Sequence, residues 1–180
     1  MIVTDDEELA AVVRSLRNQG RAAMGAFLEF DRLGVNYRLD ELSAALGVSQ
    51  LKRVETFLRA RERVARMYTQ RLGAHEWVRP PATRPYVRMS WFVYVATLAE
   101  RLNNKPVIEA MEAAGVQVRG YFSPVRLQPY VREKLGTGKG LLPVTESVCD
   151  RTIALPFHNR LSEREIDRVV HTLASVVTHV

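Results

Sequence analysis

The sequence is poor in cysteine, histidine and lysine, and it has no long hydrophobic run. Cys149 stands alone among 180 residues, so no disulfide can form within the chain. A lone thiol suits a reducing compartment, and the protein is expected in the cytoplasm. Four scattered histidines (His75, His158, His171 and His179) show no metal-ligand spacing, which argues against a zinc site. No apolar stretch approaches the roughly 18 residues of a membrane span, so no membrane partner is expected. The opening Met1-Ile-Val-Thr-Asp-Asp-Glu-Glu8 turns acidic at once and does not read as a secretory signal. Only four lysines accompany 22 arginines: Lys52, Lys105, Lys134 and Lys139.

What is present fits a folded chain. Hydrophobic residues make up 47% and charged residues 26%, which excludes a mostly disordered protein. The net charge of +6 raises the question of nucleic acid. The arginines are spread along the chain, however, and the densest run, Arg59 to Arg66, contains Glu62. Such a run reads as one solvated helix face, and nucleic acid is not the expected partner.

The hydropathy pattern orders the chain. Thr4-Asp-Asp-Glu7 reads as a capping box, with Leu9, Val12, Val13 and Leu16 at helical spacing behind it. Gly20 is a plausible helix stop. Met1-Ile-Val3 reads as the end of a strand, short against the usual five or six residues. Residues 20–37 hold Gly20, Gly25, Phe27, Phe30, Gly34 and Tyr37 without a period, and predict a functional loop. A helical stretch is expected from about Leu39 to Leu72, with a weak spot at Gly47-Val-Ser49.

After Gly73 the character changes. Arg79 to Pro85 is a proline-rich connector, and Ser90 to Thr97 reads as a strand. Asn104 is expected to cap a helix closed by Gly115. A short strand at Val116 to Val118 and an extended piece from Ser123 to Pro129 follow. A helix at Pro143 to Arg151 and a buried strand at Thr152 to Pro156 come next. Ser162-Glu-Arg-Glu165 is a capping box opening the last helix, with Ile166, Val169, Val170 and Leu173 on its apolar face. Gly136 to Gly140 lacks the phosphate-loop pattern and reads as a flexible turn. Cys149 reads as inert core.

One constellation is more specific. Gly34-Val-Asn-Tyr-Arg-Leu-Asp-Glu-Leu-Ser-Ala-Ala-Leu-Gly47 is followed by Gln50-Leu51. Further on come Tyr121-Phe-Ser-Pro-Val-Arg-Leu-Gln-Pro-Tyr130, Pro143-Val-Thr-Glu146, Leu155-Pro156 and Leu161-Ser-Glu-Arg-Glu-Ile166. In this order the series resembles the C-terminal half of the DegT/DnrJ/EryC1/StrS family, whose members are pyridoxal-phosphate (PLP) aminotransferases of nucleotide-linked keto sugars. The resemblance implies an α/β chain, the C-terminal part of a fold-type I aminotransferase. Residues 1–72 would be a remnant of the large PLP-binding domain with connecting helices. Residues 73–180 would be the small α+β domain. It also implies a homodimer or a catalytic partner chain, with a nucleotide-linked keto sugar and an amino-acid donor as substrates. Asn36 would donate to the PLP phosphate of the other subunit; read from the residues alone, it could equally bond its own turn. Tyr121 and Arg126 would lie at the sugar, although Tyr121 also suits core packing. The family often has His where Arg126 and Gln19 stand.

The same resemblance exposes what is scarce. Transamination needs a lysine to hold the cofactor covalently. In the family it precedes a Gly-Glu-Gly-Gly-like stretch, just ahead of the part matched by Met1 to Asp5. None of the four lysines has that setting, so no catalytic residue is assigned. Three readings follow: a fragment or mis-started form of the enzyme, a short partner of a separate catalytic chain, or a module binding nucleic acid or another acidic partner. In a fragment, residues 1–72 should be poorly held and residues 73–180 compact.

Overall fold

The computed structural model describes residues 2–22 and 29–179. The expectations for Met1, Gly25 and Phe27 lie outside these residues. Two compact units divide the chain, Met1–Arg53 and Val54–Val180.

The first unit opens with α1 (Glu7–Arg17). Its cap is Asp6, whose carboxylate accepts from the Leu9 amide at 2.9 Å. Thr4 is not the cap; its hydroxyl accepts from the Asp6 amide instead. Ile2 and Val3 belong to no strand, since no described segment pairs with them and an extended stub alone has no ladder. Gln19 and Gly20 both turn left-handed, at φ +66° and +80°. The Gly20 amide closes the helix on the Ser15 carbonyl. The unit ends in α2 (Glu41–Leu51), capped by Asp40.

The second unit begins with α3 (Val54–Leu72). The long helical stretch thus breaks at Lys52-Arg53, and Gly47 stays inside α2. A four-stranded antiparallel sheet follows in the order β1 (Val78–Arg79), β2 (Tyr94–Leu98), β4 (Thr152–Leu155), β3 (Arg119–Gly120). Its central pairing sets Tyr94 opposite Leu155 and Thr97 opposite Thr152. Between strands lie α4 (Asn104–Ala113), a 3₁₀ turn (Val125–Leu127), α5 (Pro129–Leu135) and α6 (Pro143–Cys149). The chain closes with α7 (Glu163–Val177), whose capping box forms as expected.

Two local expectations are corrected. Asn103, not Asn104, caps α4; the Asn104 amide instead donates to the Cys149 and Thr152 carbonyls, tying α4 to the end of α6. The short strand is Arg119–Gly120, while Val116 and Val118 fill the core ahead of it.

The core lies between the sheet and helices α3, α4 and α7. Helix α3 contributes Val64, Ala65, Tyr68 and Leu72. Helix α7 contributes Ile166, Val169, Val170, Leu173 and Val177, one apolar stripe at helical spacing. Arg71 of α3 meets Asp167 and Glu163 of α7 at the rim. The packing therefore assigns α3 to the second unit, whereas the expected division fell at 72/73.

Candidate functional site

In the first unit, two glycines shape the segment that carries Asn36. A Cβ on Gly20 would lie 1.7 Å from the Arg32 carbonyl, and one on Gly34 would lie 2.1 Å from the Gly20 amide nitrogen. Only backbone fits there. This contact lays residues 35–37 along the end of α1. The Gln19 amide donates to the Val35 carbonyl, the Tyr37 amide to the Arg17 carbonyl, and Asn18 bridges Asn36 in antiparallel fashion. Arg38 donates to the Asn18 side chain at 2.8 Å.

Asn36 is thus held by its backbone while its amide side chain is exposed and has no partner among the described residues. It does not bond its own turn. Next to it in sequence, Tyr37 is 77% exposed. Helix α2 follows with no buried residue, and Leu42 and Leu46 stand 85% and 62% exposed. The first unit thereby carries an exposed amide with no partner among the described residues, followed in the chain by an exposed apolar helix.

In the second unit, Tyr121 and Arg126 share the stretch between β3 and α5. Tyr121 is half-buried, its ring edge-on to Phe122 at 4.9 Å. Its hydroxyl has no partner among the described residues. Phe122 takes a left-handed backbone at φ +58°, unusual for an aromatic side chain. Arg126 is buried and engaged internally. Its guanidinium pairs with Glu146 and donates to the Gly138 carbonyl. Thr137 donates back to the Arg126 carbonyl, and the Gly140 amide donates to Glu146. The 136–140 segment is therefore an organised loop around a charge pair, where the sequence suggested a flexible turn. Glu146 stood in a quoted motif with no role assigned; Pro143 at a helix start was the available cue, since it places Glu146 in the first turn of α6.

The four lysines are all exposed, on α2's end, α4, α5 and the 136–140 loop. No cluster of His, Cys, Asp or Glu among the described residues could hold a metal. No described helix is long and apolar enough to cross a membrane.

Comparison with known proteins decides the family, because the model of the DegT/DnrJ/EryC1/StrS aminotransferase family matches residues 1–174. The chain belongs to this family. A GDP-perosamine synthase from Caulobacter vibrioides is 34% identical over 98% of this chain and 47% of its own length. The erythromycin biosynthesis protein EryC1 of Saccharopolyspora erythraea is 32% identical over 96% of the chain and 45% of its own. A DegT/DnrJ/EryC1/StrS aminotransferase structure from Brucella abortus superposes with a TM-score of 0.80 at 29% identity, covering 96% of this chain and 44% of that one. The Helicobacter pylori aminotransferase PseC reaches a TM-score of 0.86 at 22% identity, a likeness of fold. The chain spans about half the length of the DegT-family relatives it matches.

Proposed function

We propose that this chain is the C-terminal portion of a PLP-dependent aminotransferase acting on nucleotide-linked keto sugars, and that it does not transaminate alone. In the family's terms, residues 1–72 are the cofactor-domain remnant with connecting helices, and 73–180 the small domain; by packing, α3 joins the latter. The observation that carries the reading is Asn36, a backbone-clamped residue whose amide is unspent. It fits a donor to a phosphate delivered across a subunit interface, without adding charge. The uncovered apolar α2 beside it in the chain is the surface a second subunit would bury.

The residues fit the cofactor in part. Bound PLP supplies an electron sink for proton transfer at the carbon being aminated. This chain would hold its phosphate through Asn36 and line the sugar with Tyr121, whose hydroxyl is free. Arg126 serves differently from the expectation: its charge goes to Glu146, so it shapes the sugar-side segment from within. All four lysines are exposed and none stands in the setting that the family's cofactor lysine has, so this chain is proposed to hold the cofactor without a covalent bond.

A chimera tests this. The N-terminal half of the Caulobacter vibrioides relative, joined to this chain, should bind PLP and aminate a nucleotide-linked keto sugar. Asn36→Ala in the chimera should weaken PLP binding about tenfold, the worth of a hydrogen bond to a charged group, as read by absorbance titration. A yellow PLP adduct on the chain alone, abolished by changing one of its own lysines, would overturn the proposal.

A further inference from the structure

The bridge between Asn18 and Asn36 orders more than one side chain. The Gln19 amide donates to the Val35 carbonyl and the Tyr37 amide to the Arg17 carbonyl. These bonds flank the pair instead of joining it, so Asn18 and Asn36 form a non-hydrogen-bonded antiparallel pair. Residues paired in this way lie about 4.5 Å apart at Cα, with their side chains close together on one face. Arg38 comes two residues after Asn36, the spacing that returns a strand to the same face. Its donation to the Asn18 side-chain oxygen at 2.8 Å shows that it is there.

That contact sets the Asn18 amide. A guanidinium has donors only, so it faces the amide oxygen, and the NH2 group of Asn18 is turned away from it. This NH2 group has no partner among the described residues, and neither has the Asn36 amide. Two side-chain amides thus stand side by side with donors to spare. They sit at the end of α1, where the helix carbonyls carry partial negative charge and disfavour an anion. Arg14 and Arg17 in the last turn, and Arg38 across the bridge, oppose that charge.

We infer that Asn18 is a second phosphate donor beside Asn36, and that Arg38 is the positioning residue that turns the Asn18 NH2 group toward the anion. The inference rests on the phosphate role proposed for Asn36 and deepens it: a phosphate monoester is gripped by a pair of amides, one of them locked by a guanidinium. Both amides hang from the clamped backbone of one unit, so the grip is present in this chain by itself. Without Arg38, Asn18 is free to present its oxygen instead, which repels phosphate. Lysine at position 38 also has donors only and keeps the orientation; methionine does not.

Side-chain amide NMR on the full chain reads both groups directly. The probe is pyridoxine phosphate, which lacks the aldehyde and forms no bond to lysine; pyridoxine is the control without phosphate. The ester should move the NH2 signals of Asn18 and Asn36 along one saturable curve at millimolar concentration, and pyridoxine should move neither. Asn18→Ala should weaken the ester about tenfold, the worth of one hydrogen bond to a charged group. Arg38→Met should weaken it at least as much and silence the Asn18 response, while the backbone amides of residues 35–37 keep their positions. Arg38→Lys should restore both. The assignment is overturned if Asn36 responds and Asn18 does not, or if Asn18 still responds in Arg38→Met; in either case the phosphate role of Asn36 stands. If neither amide responds to the ester, or pyridoxine moves both equally, the phosphate role of Asn36 falls with it.

Discussion

Arg126 takes a full charge to a position only 9% exposed, and what it meets there decides its role. A guanidinium so placed needs a counter-charge, because the interior disfavours an isolated ion. Glu146 provides it, and the pair in turn holds the Gly138 carbonyl and the Gly140 amide. Glu146→Gln keeps the shape but leaves the guanidinium uncompensated, and it should cost about 2–4 kcal/mol in chemical denaturation. Replacing both residues together, with Arg126→Met and Glu146→Leu, should cost less than the single change. Trypsin should also cut after Lys139 faster in Glu146→Gln, because the loop loses its anchor; an unchanged cutting rate would mean the pair does not order it. None of this was legible at Arg126 itself. The partner lies on a different helix, and chain order does not say which carboxylate will face which arginine. The motif singled out Asn36 as a candidate, but the Gly20–Gly34 contact that clamps its backbone was not legible, because close approach between two backbones leaves no mark beyond the glycines themselves.

Single elements were legible where a side chain both names and executes the local event. The Ser162 box caps α7, and its stripe Ile166, Val169, Val170 and Leu173 is buried as spaced. The caps of α1 and α4 slipped because neighbouring acceptors compete: Asp6 outdoes Thr4, and Asn103 outdoes Asn104. The break after α2 was placed too early because Gly47 weakens a helix without ending it. The aromatic stack joining α3 and β2 gives this scale its prediction. The Tyr68 hydroxyl donates to the Pro156 carbonyl, and Tyr94 meets Thr69 at 2.9 Å. Burial pushes both phenols up, Tyr94 to about 12. A raised folded-state value means the folded protein holds the proton more tightly than the unfolded chain does. Stability from these groups is therefore complete below the ordinary phenol value of about 10 and falls as pH rises from there through 12. Tyr94→Phe should cost about 1 kcal/mol at pH 8 through the lost Thr69 bond and should make the alkaline fall shallower. Urea midpoints between pH 8 and 11.5 read both effects; equal slopes in the two proteins would place the alkaline loss elsewhere.

At the scale of the whole molecule, the buried apolar side chains are distributed unequally. Among the described residues every one of them, from Val64 to Val177, belongs to the second unit. Among its described residues the first unit buries Gly20 and is held by caps, two bridges, a close backbone contact and hydrogen bonds such as Arg38 to Asn18. Composition could not reveal this, because a chain average of 47% hydrophobic counts an exposed Leu42 and a buried Leu72 alike. The change of character after Gly73 suggested a boundary there, since it marks where strands begin. The core, however, needs α3 as a layer over the sheet. Val64, Ala65, Tyr68 and Leu72 are all essentially inaccessible. At about 1.5–3 kcal/mol for each large side chain, their loss would remove about 5–9 kcal/mol, comparable to the whole stability of a domain. Residues 54–180 alone should therefore unfold cooperatively at nearly the denaturant midpoint of the second unit in the full chain. Residues 73–180 alone should show no cooperative transition. If 73–180 folds as well as 54–180, the boundary belongs at the composition change, and α3 is a connector laid over a core that is complete without it.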